Sequence, residues 1–212
     1  FLMYGIASFC CTCLLCLLDP FITLVFGNEM VLDFPVVCVC VLNFFLATMR
    51  IPVWNMLSAS GLFKRDKYIS IAGSTVNLVV SFVLGKEIGM LGILIGTTCT
   101  YAIQFVLKIL LFYRHFLHRP CKKLFLQLGL YLALTLALTG CAYGLCGWIA
   151  TGAAIADFVL KGLLAAGFSL GSNFLLFCRT DSFRALRQVF YDSRNRYKSN
   201  KSRATGEKGG MA

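Results

Sequence analysis

The sequence predicts an all-α membrane protein of six transmembrane helices with both termini on the cytoplasmic side. Three observations lead there. Apolar stretches cover about 2–27, 34–62, 68–84, 90–113, 124–149 and 154–178, separated by short polar gaps. Each is close to the roughly 20 residues that an α-helix needs to cross about 30 Å of hydrocarbon. The hydrophobic fraction is 58%, the mean hydropathy +0.79 and the charged fraction only 14%, a balance unlike that of a soluble globular domain. The net charge of +11 is also unevenly placed. Sixteen Lys/Arg fall in the gaps after the second, fourth and sixth spans, against Lys86 alone in the alternate gaps. By the positive-inside rule the first span runs outward and the basic tail is cytoplasmic. The basicity is therefore an orientation signal, and no nucleic-acid partner is expected. The predicted organisation is one membrane domain over 1–178 and a cytoplasmic tail over 179–212. The chain opens at Phe1 inside an apolar segment with no charged region before it. That start does not suit a signal peptide and suits a piece of a longer protein.

In the first span, Asp19-Pro20 lies near the outer end, where proline should kink or end the helix. Asp19 suits either an outer vestibule or the interface. Cys10, Cys13 and Cys16 have the three-residue spacing of a cluster-binding run, but thiols on an apolar helix are expected to act as small packing residues.

The second span carries Asn43, Ala47, Arg50 and Trp54 at steps of 4, 3 and 4, which puts them on one helical face. Arg50 lies some 14 residues before Lys64, too deep for easy escape to water. Within the bilayer an arginine must find water or an anion; the alternative is a side chain that snorkels to the inner interface. Pro52 deprives the Thr48 carbonyl of its backbone partner and is expected to interrupt the helix beside Arg50. Interrupted helices near charges often line transport sites.

The third span repeats the spacing with Ser70, Ser74, Asn77 and Ser81, and the fourth with Thr97, Tyr101, Gln104 and Lys108. Such stripes face either a neighbouring helix or a water-filled cavity. Lys108 lies near the inner end and is assigned to snorkelling. The pairs Gly92/Gly96, Gly140/Gly144 and Gly167/Gly171 allow close helix approach and are expected to hold the fourth, fifth and sixth spans together.

The sixth span places Asp157 and Lys161 one turn apart near the outer face. They form either a structural pair or a gate or coupling group. In the gap before the fifth span, His115 and His118 are read as part of a solvated basic loop. After the sixth span, Asp181 is a candidate N-cap for a short amphipathic helix with Phe183, Leu186 and Phe190 on one face. Disorder is expected from about Asn195 onward.

No nucleophile–base–orienter set, phosphate-binding glycine loop, dinucleotide turn or zinc-protease motif is present. Neither catalysis, nor a cofactor, nor a metal is expected. A basic group at depth beside hydroxyl and amide stripes suits transport of an anionic, sugar-bearing ligand by alternating access.

The segments Leu18–Gly27, Val41-Leu-Asn-Phe-Phe45, Arg50-Ile-Pro-Val-Trp54, Ser60-Gly-Leu-Phe63 and Asp66-Lys-Tyr68, with Asn77, Gly89-x-x-Gly92 and Gly96, resemble the Wzx-like polysaccharide-biosynthesis flippases. These belong to the superfamily that also contains the multidrug and toxin extrusion (MATE) exporters. The resemblance covers about residues 1–178 and is most specific from 18 to 68. It implies one MATE-like lobe, the carboxy-terminal half of a transporter of about 12 helices, in the bacterial cytoplasmic membrane. It further implies flipping of undecaprenyl-diphosphate-linked oligosaccharide for capsule, exopolysaccharide or O-antigen synthesis. The implied partners are that substrate, membrane lipids, an amino-terminal lobe and a polysaccharide polymerase. Arg50 best matches the cavity cations of such flippases. The family's usual Asn-Pro stands here as Asp19-Pro20.

The expected cavity set is Arg50, Asn43, Trp54, Asn77, Ser74, Gln104 and Thr97, with Asp19, Asp157 and Lys161 for gating or coupling. One competing function is a MATE-like cation-coupled drug exporter, which needs buried carboxylates. The other is a non-transporting scaffold that recruits polymerase or glycosyltransferase partners through its tail.

Overall fold

A computed structural model describes residues 2–61, 63–117, 122–148 and 154–177. Over these residues the chain is an all-α, multi-pass membrane protein. Six helices follow in order: α1 (Leu2–Phe26), α2 (Phe34–Ala59), α3 (Phe63–Ile88), α4 (Met90–Phe112), α5 (Lys122–Gly147) and α6 (Ala154–Phe177). All six are long and apolar enough to span a bilayer, with spans of 20 to 26 residues. The helix limits agree with the apolar stretches to within a few residues, except at α3. That helix begins at Phe63 rather than near residue 68, so the basic segment Lys64–Lys67 forms its first turn. A short 3₁₀ turn, Asn28–Met30, joins α1 to α2, and a π-helical turn, Tyr113–Leu117, extends α4.

The chain divides into two compact units, Phe1–Leu170 and Gly171–Ala212. Of the second, the described part is the end of α6. The expected amphipathic helix, the disordered tail, His118 and Cys121 lie outside the described residues.

Within the first unit the bundle has two groups of helices. α4 packs along α3 and α2, and α1 joins the groups by packing on both α2 and α5. Glycine sets the α3–α4 approach. Gly89 turns the chain with φ +65°, a conformation most L-residues avoid. A Cβ on Gly92 would collide with the Leu84 carbonyl, and one on Gly96 with Ser81. This corrects the expectation for the small-residue pairs. Gly92 and Gly96 seat α4 on α3, whereas added Cβ atoms on Gly140, Gly144 and Gly167 would meet nothing within 4 Å.

The second group is held by a small apolar cluster of Cys16, Ala142, Cys146 and Ala165, bordered by Leu164 and Phe168. The Phe21 and Phe158 rings add a contact at 6.2 Å, and Gly162 lies against Leu17. Between α1 and α5 runs a polar seam that the sequence did not disclose. Tyr4, Ser8 and Thr12 are fully buried. Tyr4 stacks on Tyr131 at 4.5 Å, Thr135 donates to the Tyr4 hydroxyl at 3.4 Å, and the Thr12 and Thr139 hydroxyls meet at 3.4 Å. Without solvent water in the bilayer, such groups must satisfy each other across helices.

Of the evenly spaced thiols Cys16 is buried, while Cys10 and Cys13 are half-buried. The neighbouring Cys11 is also buried, and its thiol approaches the Val41 carbonyl of α2 at 3.6 Å. Neither proline breaks its helix: α1 continues through Pro20 and α2 through Pro52. The expected interruption beside Arg50 is therefore absent. α2 instead crosses the site as one continuous helix, and the Thr48 hydroxyl turns back to the Phe44 carbonyl at 2.9 Å.

Candidate functional site

Three polar stripes, on α2, α3 and α4, meet at one depth. Arg50 lies nine residues before the end of α2 at Ala59, and Gln104 eight before the end of α4 at Phe112. Ser70 lies seven residues after the start of α3 at Phe63. At 1.5 Å per residue all three sit about 10–14 Å from the same end of the bundle. They line a cavity of about 370 Å³ with Ala47, Ile51, Trp54 and Lys108.

The guanidinium of Arg50 is fixed twice. It donates to the Gln104 Oε1 at 2.7 Å, and it lies over the Tyr101 ring with its central carbon 4.6 Å from the centroid. A neutral amide and a π-face hold the group without cancelling its charge. Gln104 is itself oriented, since its Nε2 donates to the Ser70 carbonyl at 3.4 Å. Gly73 makes the space: a Cβ there would collide with the Gln104 side chain. Trp54, 53% exposed, forms an open wall.

Lys108 departs from expectation. It does not snorkel. It is buried, 4% exposed, and its ammonium pairs with the Asp66 carboxylate at 2.8 Å and donates to the Ser70 Oγ at 3.3 Å. Asp66, 9% exposed, belongs to the first turn of α3. Asp66 thus adds a buried carboxylate near the Arg50 end of the bundle to Asp19 and Asp157, the two that the sequence places within its spans, near their outer ends. Asp66 escaped because the predicted third span began after it. The available signal was an acid inside a basic run, one helical turn before Ser70.

Asn43 shares the α2 face of Arg50 but not its cavity. Its Nδ2 donates to the Leu94 carbonyl at 3.1 Å, and its Oδ1 accepts from Thr98 at 2.8 Å. These bonds bind α2 to α4, so Asn43 is an interhelical packing residue. Asn77 accepts from Ser81 at 2.8 Å, and Ser81 also reaches the Ile93 carbonyl at 3.4 Å. Asn77 therefore serves the α3–α4 seam. Thr97 donates to the Ile93 carbonyl of its own helix at 3.3 Å. Ser74 donates to the Ser70 carbonyl at 3.0 Å and lines an open groove on the outer face of α3 with Lys67, Thr75 and Leu78. Of the seven predicted cavity residues, Arg50, Trp54 and Gln104 come together at this pocket.

The predicted gate or coupling residues do converge. Asp19 of α1 and Asp157 and Lys161 of α6 line a second cavity of about 490 Å³, with Thr23, Tyr143 and Cys146. Asp19 and Lys161 each lie seven residues from the helix end opposite the Arg50 pocket, about 10 Å deep. The chain thus holds a net basic pocket toward one face of the bundle and an acid-rich one toward the other, on different helix groups. A scan against family models finds no match, and no curated protein or solved structure matches the chain.

Proposed function

We propose that the chain is one lobe of a transporter that moves an anionic, lipid-linked headgroup across a bilayer. The specific reading is a flippase for undecaprenyl-diphosphate-linked oligosaccharide, working by alternating access in the bacterial cytoplasmic membrane. In this reading the lobe is MATE-like, both termini are cytoplasmic, and an amino-terminal lobe completes the translocation path.

One observation carries the proposal. Arg50 is held by Gln104 and Tyr101, and among the described residues no carboxylate pairs with it. An arginine at such depth costs about 3 kcal/mol to insert. A fixed, uncompensated guanidinium facing a cavity is a place for an anion that arrives and leaves. Lys108 and Asp66 neutralise each other, so the pocket remains net positive. Hydroxyl and amide groups at Ser70 and Gln104 suit the sugar that follows a diphosphate. The acid-rich pocket of Asp19, Asp157 and Lys161 supplies a gating or coupling group on the opposite side.

A cation-coupled drug exporter would need a buried carboxylate facing its ligand. Beside the Arg50 pocket the buried carboxylate, Asp66, is not part of the wall and is already paired with Lys108, which favours the anion reading of that pocket. The test is Arg50→Ala, with Arg50→Lys beside it. Surface polysaccharide export is expected to be lost in Arg50→Ala and partly kept in Arg50→Lys, with membrane insertion equal in both. Normal export by Arg50→Ala overturns the proposal.

A further inference from the structure

Lys108 is a pocket-lining cation whose charge is already in use. Its side chain contributes to the cavity wall, yet its ammonium is latched to Asp66 at 2.8 Å. Among the described residues that wall includes Lys108 but not Asp66, so the carboxylate stands behind the lysine. Asp66 holds its partner through a single contact, without the two parallel bonds that an arginine would form. We infer that Asp66 is a resident substitute for the second anionic group of the ligand. Its carboxylate holds Lys108 until a diphosphate seated on Arg50 takes the ammonium over. This rests on the anion reading of the Arg50 pocket and narrows it to a ligand with two adjacent anionic groups.

The geometry supports an exchange rather than a fixed pair. Ser70 joins the two cations: its carbonyl accepts from Gln104, which holds Arg50, and its hydroxyl accepts from Lys108. Gln104 and Lys108 are one turn apart on α4 and share a face. A ligand spanning Arg50 and Lys108 therefore meets both from one side. A released Asp66 is not stranded. It sits in the first turn of α3, next to Arg65 and Lys67. There the helix leaves backbone amides without intrahelical partners and its dipole favours negative charge. A monoanion would satisfy Arg50 alone and leave the latch closed, so the pair would also discriminate between ligands.

The test is a calorimetric titration of the purified full chain in detergent micelles, with inorganic pyrophosphate and separately with a polyprenyl diphosphate. Asp66→Asn, which frees the ammonium, is expected to tighten binding by about fivefold or more. Lys108→Gln is expected to weaken it, and the double variant to show no tightening. Tightening with both probes assigns the diphosphate itself as the recognised group; tightening with the polyprenyl probe alone assigns the lipid headgroup. If Asp66→Asn does not fold, Asp66→Ser, whose hydroxyl suits a helix start, repeats the test. Unchanged or weaker binding by the Asp66 variant, while Arg50→Ala still abolishes it, overturns the latch and leaves the anion pocket standing. Failure of the unmutated chain to bind either probe overturns both.

Discussion

The Arg50 guanidinium of α2 and the Gln104 amide of α4 meet at 2.7 Å, and that contact orients the charge without neutralising it. The distinction matters in low dielectric. At 4 Å and an effective dielectric of about 20, a unit charge pair is worth about 4 kcal/mol. An acid in place of the amide would turn the oriented cation into a salt bridge.

Gln104→Glu tests this directly, because the side chain keeps its shape and changes its charge. The variant is expected to insert and to unfold within a few degrees of the unmutated protein, since the ionic partner that Arg50 gains offsets the bond to the Ser70 carbonyl that a carboxylate cannot donate. Transport should fall by roughly a hundredfold or more, given the loss of an uncompensated cation worth about 3–4 kcal/mol. Thermal unfolding and headgroup translocation in proteoliposomes, measured on the same preparation, check both halves. Preserved transport would mean that the charge of Arg50 is not what the ligand reads.

How far the sequence disclosed this site depends on the kind of contact. Helix limits were legible because bilayer thickness fixes their length. The steps of 4, 3 and 4 placed Arg50 and Trp54 on the same face, and Gln104 on a stripe of its own, because helical period is local. Period gives an angle about one helix axis, however, and says nothing of which neighbour lies at that height. Asn43 and Arg50 share an azimuth, yet Asn43 meets the α4 backbone while Arg50 meets a cavity. The Asp66–Lys108 pair joins positions 42 residues apart, and no local pattern encodes such a meeting. The convergence of Asp19 with Asp157 and Lys161 likewise requires α1 and α6 to be neighbours.

Glycine spacing misled in the same way, and the correction gives a prediction of opposite signs. Gly92→Ala places a methyl group against the Leu84 backbone, so α3 and α4 must separate at a cost of about 1–3 kcal/mol. Gly140→Ala meets nothing within 4 Å and gains helix propensity of up to about 1 kcal/mol. Thermal unfolding in detergent should show Gly92→Ala less stable than the unmutated chain and Gly140→Ala equal or more stable. Equal losses in both would mean that the small-residue pairs act alike, against the packing described above.

The cavity at the end opposite the Arg50 pocket makes a separate claim, since it brings two carboxylates and one ammonium together on α1 and α6. Lys161 is the cation there, and the Asp19 Oδ1 is buried without a hydrogen-bond donor of its own. Removing the ammonium leaves two acids facing one space, and like charges in a partly buried site repel. Lys161→Met is therefore expected to lower stability by about 1–3 kcal/mol, a figure reduced for the openness of the site. Asp19→Asn in the same chain should recover part of that loss, because it removes the charge left without compensation. A double-mutant cycle on thermal unfolding measures the coupling, expected at about 0.5–1 kcal/mol or more for side chains sharing one environment. Strict additivity of the two substitutions would mean that Asp19 and Lys161 line the cavity without sensing each other. That pocket would then have no claim to a gating or coupling role.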